Sequence, residues 1–464
     1  MQRLGLGVVA GVRLGVVVGV TGCMAMIAAA MAEERRVATA EELTAALEAA
    51  AEGDEIVLAP GTYAGGLYRE NLRGVTIRSA ERDNPAVIEG GSYGLQLSDP
   101  VQVALSDLVF QGQAENGINI DDGGSYETPA RSIRLTRITV KDIVEKGNHD
   151  AIKMAGVEDF LINGARIENW GTEGSAIDFV GCRNGLVQNS LLIHTALTVG
   201  GSGIRPKGGS KDIVIRANRI EMPVGTGRGI QAGGSTDAEF FRFADGDKDY
   251  EAASITIEGN VIVGGGAAFS WVNIDGGVIH HNLVQGPAPW VARILNENAG
   301  TSIVATKNGA FHDNEIAFET GGTFNTAVNV GDDTEPETFR FSRNRWLNLA
   351  DPTPDGSRLK LPVKESDGAY GEPLANAPDR VQVWEFPWGK WLVNATAKSR
   401  SVEVSAHAAL KQAVSVKSAR FGPLDERPLT GTWRSEDLAG QKLTLPAMSQ
   451  AILINPETCS GCLD

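Results

Sequence analysis

A short alternation of apolar and polar residues returns through the middle of the chain. It reads Gly117-Ile-Asn-Ile, Ala151-Ile-Lys-Met, Ala176-Ile-Asp-Phe, Gly203-Ile-Arg-Pro, Gly229-Ile-Gln-Ala, Ala268-Phe-Ser-Trp and Arg293-Ile-Leu-Asn. Counted from the second residue of each copy, the steps are 34, 25, 27, 26, 39 and 25 residues. Most copies are followed by a second apolar strand that closes on an Asn, as in Ile213 to Asn218, Ile255 to Asn260, Val278 to Asn282 and Ala310 to Asn314. Self-similarity at this period marks a stacked solenoid. Because no unit carries a helical stretch and units end in Gly and Asn, the pattern predicts an all-β, right-handed parallel β-helix.

Side chains alternate in and out along a strand. The pattern therefore predicts an inner stack of Ile118, Ile152, Ile177, Ile204, Ile230, Phe269 and Ile294. It places Asn119, Lys153, Asp178, Arg205 and Gln231 in one outward column, and Asp121, Ala155, Val180, Lys207 and Gly233 in a second, two residues further along. Neighbouring strands lie about 4.8 Å apart, so residues distant in sequence meet on this face. Chemistry is expected there, between Lys153 and Gln231.

The flanking segments differ in character. Residues 1–32 combine Arg3, an uncharged apolar run from Leu14 to Ala30, and Ala30-Met31-Ala32, which reads as a secretory signal cleaved after Ala32. Export to the periplasm or outside the cell follows. Val20-Thr-Gly-Cys23 offers a rival reading as a lipoprotein anchor, against which stands the apolar run continuing past Cys23. Within the expected β-helix domain (33–350), Thr39-Ala-Glu-Glu42 is a capping box, and Leu43, Ala46, Leu47 and Ala50 share one helical face. Such a helix suits the open apolar end of a solenoid. The insertion from Gly234 to Glu251 carries Phe240, Phe241, Arg242, Phe243 and Tyr250, and could wall a groove.

Residues 351–379, rich in Pro, Gly and Asp, read as a linker, and short alternating strands within 380–456 predict a small antiparallel β-sandwich. Trp384, Trp388 and Trp391 serve there either as packing or as sugar-stacking surfaces. The tail 457–464 holds Cys459 and Cys462, a small disulfide or simply a tail, because no second cysteine pair completes a four-ligand metal site. Cys182, after Phe179-Val180-Gly181, reads as an inert buried thiol.

At 464 residues the chain exceeds one ordinary globular core, a limit that a linearly growing solenoid escapes. Its net charge of −16 argues against nucleic-acid binding driven by a basic surface. After the N-terminus no segment has the ~20 apolar residues of a membrane span. In so acidic a chain, a local cationic cluster points to a specific anionic partner. Such a cluster exists at Lys153, Arg205, Lys207 and Arg228.

The run from Gly203-Ile-Arg-Pro-Lys207 to Asn218 resembles the motif around the catalytic lysine of polysaccharide lyase family six, which includes chondroitinase B and alginate lyases. Arg228, 21 residues after Lys207, stands where that family places an arginine. The segment from Thr39 to Tyr63 also resembles the opening of those enzymes. The resemblance covers the β-helix and leaves out the C-terminal module. It implies β-elimination on a uronic-acid polymer, alginate-like or glycosaminoglycan-like, with Lys207 as base and Arg228 near the leaving oxygen. Elimination needs the substrate carboxylate neutralised as an enediolate forms, and a lysine among cations has the lowered pKa of a base. Lys153, Asp178, Arg205, Gln231 and His149 are then candidate substrate-binding residues.

Two departures matter. The calcium-dependent members of that family carry glutamates where this chain has Gly200 and Ser202, and they have His-Gly after the arginine where this chain has Gly229-Ile230. No cofactor is therefore expected: calcium would lack its usual acidic ligands, and Arg205 and Lys153 would supply the positive charge. Other classes remain open. Asp150, Glu173 and Asp178 are spaced for the paired carboxylates of a glycoside hydrolase, and His194, ahead of the lysine coil, reads either as an auxiliary base or, as lone histidines more often are, as structural. A non-catalytic glycan-binding or wall protein is the third reading. If Asp178 only orients cations, Asp178→Asn is milder than Lys207→Ala; in a hydrolase the order reverses.

Overall fold

The computed structural model describes residues 32–370, except positions 126, 199, 244–248, 299, 321–322 and 349–355. Beyond 370 it describes the backbone of six strands. The predicted signal and lipoprotein site, Trp388, Cys459 and Cys462 lie outside the described residues, as do the side chains of Trp384 and Trp391.

Between Glu34 and Tyr370 the chain winds as a right-handed parallel β-helix of three sheets with thirteen, ten and twelve strands. All sheet pairings in this region are parallel. One coil contributes one strand to each sheet. The ten-stranded sheet, from Leu67–Glu70 to Thr326–Val330, carries the recurring pattern.

The predicted phase holds. Ile118, Ile152, Ile177, Ile204, Ile230 and Phe269 stack in register and are fully buried. One member of the stack is misaligned by two residues: Phe269 pairs with Ala292, whereas Ile294 pairs with Trp271. A shift of two keeps the same face, so Ile294 is still buried. The bulk of Trp271 fills the space opposite, which sequence spacing does not reveal.

Turn residues stack as tightly as core residues. Asn218, Asn260, Asn282, Asn314 and Asn344 form a buried amide ladder. Each side-chain oxygen accepts from the backbone N–H and side-chain amide of the Asn before it, at 2.9–3.1 Å. Upstream the ladder starts from the backbone N–H of Ser190. Downstream it ends on Glu365, which accepts from Asn344, Trp346 and Tyr370.

The top is closed by a helix, Ala40–Ala49, that buries Leu43, Ala46 and Leu47. Thr39 accepts from the Glu42 N–H, and the Glu42 carboxylate reaches back to the N–H of Ala38, one residue beyond the usual box. At the bottom, residues 356–370, part of the segment read as a linker, form the last turn. Ala369–Tyr370 pairs with Arg345 and Trp346, and Thr326 donates to Leu359. The six C-terminal strands form a four-stranded and a two-stranded sheet, antiparallel throughout. Among the described residues no helix is long and apolar enough to cross a membrane.

Asn282→Ala is expected to destabilise the coils by roughly 1–3 kcal/mol for each stranded donor, since the N–H and amide of Asn260 both lose their acceptor. Urea unfolding compared with the parent protein measures the loss.

Candidate active site

The register brings the predicted column together. Asn119 pairs with Lys153, Lys153 with Asp178, and Asp178 with Arg205. Asp178 is the centre of this group, although it faces outward and is fully buried. Its carboxylate accepts from Lys153 Nζ at 2.8 Å and Arg205 Nε at 2.8 Å, and lies 3.8 Å from Lys207 Nζ. Burial pushes this carboxyl up, but Arg205, Lys153 and Lys207 outweigh it and hold the group well below the usual carboxylate range.

Asp150 shares the same lysine. It accepts from Lys153 Nζ at 3.0 Å and from the backbone N–H of Ser175 at 2.7 Å. Burial first, and then the charge of Asp178, push its carboxyl up. Lys153 is thus clamped between two carboxylates, which raise its pKa against the effect of burial. Its charge is spent inside the protein. The expectation that Lys153 holds the substrate carboxylate is not favoured by this geometry.

Arg205 differs. Only its Nε is engaged, and Asp178 fixes the plane of the guanidinium while the two terminal nitrogens have no partner among the described residues. Lys207 is freer still: its one ion pair among the described residues is with Asp178, at 3.8 Å, and no described residue hydrogen-bonds its amine. Burial draws the Lys207 pKa below the ordinary 10.5; Asp178 opposes the shift, and Arg205 and Lys153 reinforce it.

Arg228 sits on the next coil. Ser202 pairs with Arg228 and Ile204 with Ile230, so Arg228 opens its strand while Lys207 closes its own. Five strand positions separate the two backbones, about 16 Å. Arg205 and Gln231 occupy the floor between. Gln231 is buried and donates to the carbonyl of Gly233, with its own oxygen unpaired among the described residues.

The other candidates fall away from this floor. His149 lies on the loop before Ile152–Ala155, and no described residue hydrogen-bonds its ring. Glu173 is an exposed loop residue. His194 is buried, its Nδ1 accepting from the Ala196 N–H, so Nε2 carries the proton and donates to the Trp170 carbonyl at 2.7 Å. Burial lowers its pKa. That is a structural histidine, not an auxiliary base. Cys182 is a buried free thiol pushed up to about 12 by burial.

The insertion does form a wall. Arg242 donates to Asp122 at 2.8 Å, and its backbone N–H to the Gly208 carbonyl, so the segment crosses the turns that follow the site strands. Gly181 and Gly209 permit this approach, because a Cβ at either position would collide with Arg242. Phe241 and Phe243 stack at 5.1 Å. Glu251 ties the wall down. Fully buried, it accepts from the N–H of Gly208 (2.8 Å), the N–H and hydroxyl of Thr236 (2.6 and 2.7 Å) and the amide of Asn298 (2.7 Å).

Sequence reasoning missed a group on the far side. Arg293 lies over the Trp290 ring at 4.3 Å and donates to Asn329, and Glu297 lies 3.8 Å from Arg228. The period gave a signal here, since Arg293 opens the last copy of the repeat, but the two-residue misalignment hid that Arg293 shares the outward column with Ser270 and Asn329. Among the described residues no three His, Cys, Asp or Glu side chains converge as a metal site. Ser202 and Gly200 offer no carboxylate next to Lys207.

No protein-family model matches the chain, and no curated protein does. Solved structures do resemble it. An alginate lyase from Paenibacillus sp. str. FPU-7 is 20% identical over 64% of this chain and 97% of that one, with a TM-score of 0.45. A GH136 lacto-N-biosidase from Eubacterium ramulus is 9% identical over 72% and 67%, with a TM-score of 0.50. The polygalacturonase from Erwinia carotovora ssp. carotovora is 11% identical over 68% and 96%, with a TM-score of 0.45. At such identities the likeness speaks to the parallel β-helix fold, and the chemistry has to be argued from the side chains.

Two expectations follow. Because the folded-state pKa of Lys207 is lowered, the unfolded chain binds more protons between that value and 10.5, and stability rises with pH across this window. Below it the amine is a burden, so Lys207→Met is expected to raise the melting temperature at neutral pH while its pH slope disappears, as a thermal melt series would show. Asp178→Asn is expected to cost about 3–5 kcal/mol, measured by denaturant unfolding, because three cations lose their shared carboxylate.

Proposed function

We propose that the protein is a carbohydrate-active enzyme that cleaves a uronic-acid-containing polysaccharide, alginate-like or glycosaminoglycan-like, by β-elimination. One observation carries the reading: a half-buried lysine with a lowered pKa and no hydrogen-bond partner among the described residues closes a strand whose outward neighbour is an arginine held by Asp178. A lowered pKa favours the neutral amine that a base requires, and such a guanidinium is a fixed cation aimed outward.

In the proposed reaction the substrate lies across the floor between Lys207 and Arg228. The free nitrogens of Arg205 bind the uronate carboxylate and stabilise the enediolate. Lys207 Nζ takes the proton from C5. The electron pair of that bond forms the C4–C5 double bond as the C4–O bond breaks. Arg228 stabilises the leaving oxygen, which takes a proton from water. Positive charge comes from arginine, so no metal or other cofactor is invoked, and an exported protein would meet its polymer outside the cytoplasm.

The hydrolase reading has less support. Asp150 and Asp178 are buried and committed to Lys153, Arg205 and a backbone N–H, and Glu173 stands apart on a loop. A hydrolytic pair needs one carboxyl free to protonate and another facing water or the sugar.

Incubation with alginate, pectate, chondroitin and heparan is expected to generate near-ultraviolet absorbance from an unsaturated uronate with at least one polymer. Lys207→Ala and Arg228→Ala should abolish it, chelator should leave it intact, and activity should rise with pH through a pKa below 10.5. Added salt should weaken substrate affinity. New reducing ends without absorbance would establish hydrolysis instead, and loss in chelator with recovery on calcium would overturn the metal-free mechanism.

A further inference from the structure

Below the Lys207 coil the outer face carries a second positive group, in which Arg293 joins Arg228 and has no part in the proposed reaction. Arg228 lies 3.8 Å from Glu297 and Arg293 lies within electrostatic reach of both, so that burial together with the charge of Arg228 disfavours the protonated state of Arg293 while Glu297 offsets part of the effect. Glu297 is thus the one carboxylate acting on both guanidiniums, and its ion pair to Arg228 is loose, at 3.8 Å with no hydrogen bond. Arg228 Nε and the Trp290 indole N–H are buried without partners among the described residues. The Arg293 guanidinium is immobilised on the Trp290 face at 4.3 Å and by Asn329 at 3.1 Å.

Glu297 is held in place by its backbone. Asn273 Oδ1 accepts from the N–H groups of Glu297 and Asn298 at 2.8 and 3.1 Å, and Asn298 is tied to Glu251. Its carboxylate therefore stays near the arginines whether or not it is their best partner. On the opposite side of Lys207 the sign changes. Glu70 and Asp121 stand in the same outward row as Lys207, and Asn119 and Gln96 donate to Asp121. An anionic polymer is repelled there and attracted below.

We propose that Arg228, Arg293 and the Trp290 face form a subsite for the carboxylate of a second acidic sugar, on the C-terminal side of the Lys207 coil, with Glu297 as its built-in competitor. The inference rests on the proposed uronate substrate. A bound carboxylate between the guanidiniums accepts the hydrogen bonds that Glu297 is too distant to accept, and the sugar ring covers the indole edge. Glu297 keeps the empty site from holding two uncompensated charges and sets how tightly an acidic sugar is held.

Binding is tested by calorimetry in the Lys207→Ala protein, where no turnover intervenes, with tetramers of alginate and of pectate, their carboxyl-esterified forms, and the monosaccharide acids. Arg293→Ala is expected to weaken acidic-tetramer binding about ten- to a hundredfold, while the weaker binding of the esterified tetramer stays as it was. Glu297→Gln is expected to tighten the acidic tetramer several-fold and to steepen its salt dependence, a change of sign that a purely structural ion pair would not produce. Arg293→Lys should recover part of the loss. Unchanged tetramer affinity in Arg293→Ala, or weaker affinity in Glu297→Gln, overturns the subsite. If the parent cleaves a uronan and Arg293→Ala binds and cleaves it equally well, the subsite falls and the elimination reading stands. If no polymer is cleaved yet acidic-tetramer binding still depends on Arg293, the elimination reading falls and the subsite stands.

Discussion

Parallel register at one coil per rung constrains everything else in this molecule. Each strand position is repeated about 4.8 Å below itself, so whatever a coil places at a position must be compatible with its copies above and below. Apolar side chains satisfy this by stacking Ile on Ile. Amides satisfy it by handing one hydrogen bond down the ladder from Asn218 to Asn344. Charges satisfy it only by alternating sign, and Lys153, Asp178 and Arg205, on three successive coils, do so.

That alternation turns a structural requirement into chemistry. An isolated buried carboxylate would be neutralised by its surroundings. Asp178 stays ionised because two cations bond it and a third lies near. Its capacity is then nearly exhausted, and Lys207, last to the site and at 3.8 Å, receives the weakest share. Burial of Lys207 is not fully compensated, and a lowered pKa is the physical result. The same arrangement aims the free end of Arg205 outward. One fully buried residue thus orients an arginine and leaves the charge of a lysine only partly compensated.

The walls obey a different economy of contacts. The insertion has no copies to stack on, so it needs discrete anchors. Glu251 provides one by gathering donors from the turn after Lys207, from the insertion and from the loop bearing Glu297. Arg242 provides another by bridging to Asp122 across the intervening coils. The floor is set by periodicity, whereas its borders are set by individual buried polar groups.

By itself the sequence determined the coil pattern, its inward and outward phase, the capping helix and the adjacent outward columns that hold Lys153, Asp178 and Arg205 in one and Lys207 in the other. These follow from local alternation, which depends only on the two-residue period of a strand. It could not determine the register at Ala292, because an even slip preserves the pattern of faces. It could not separate cations that are neutralised from those that are not, since Lys153 and Lys207 look alike until Asp150 is found beside one and absent from the other. Nor could it join Arg228 to Glu297, 69 residues apart, or seat Arg293 on Trp290. Those pairings depend on where irregular loops return to the solenoid, and loops carry no period from which to read it. Tertiary structure alone decided which of the outward charges were left free to act.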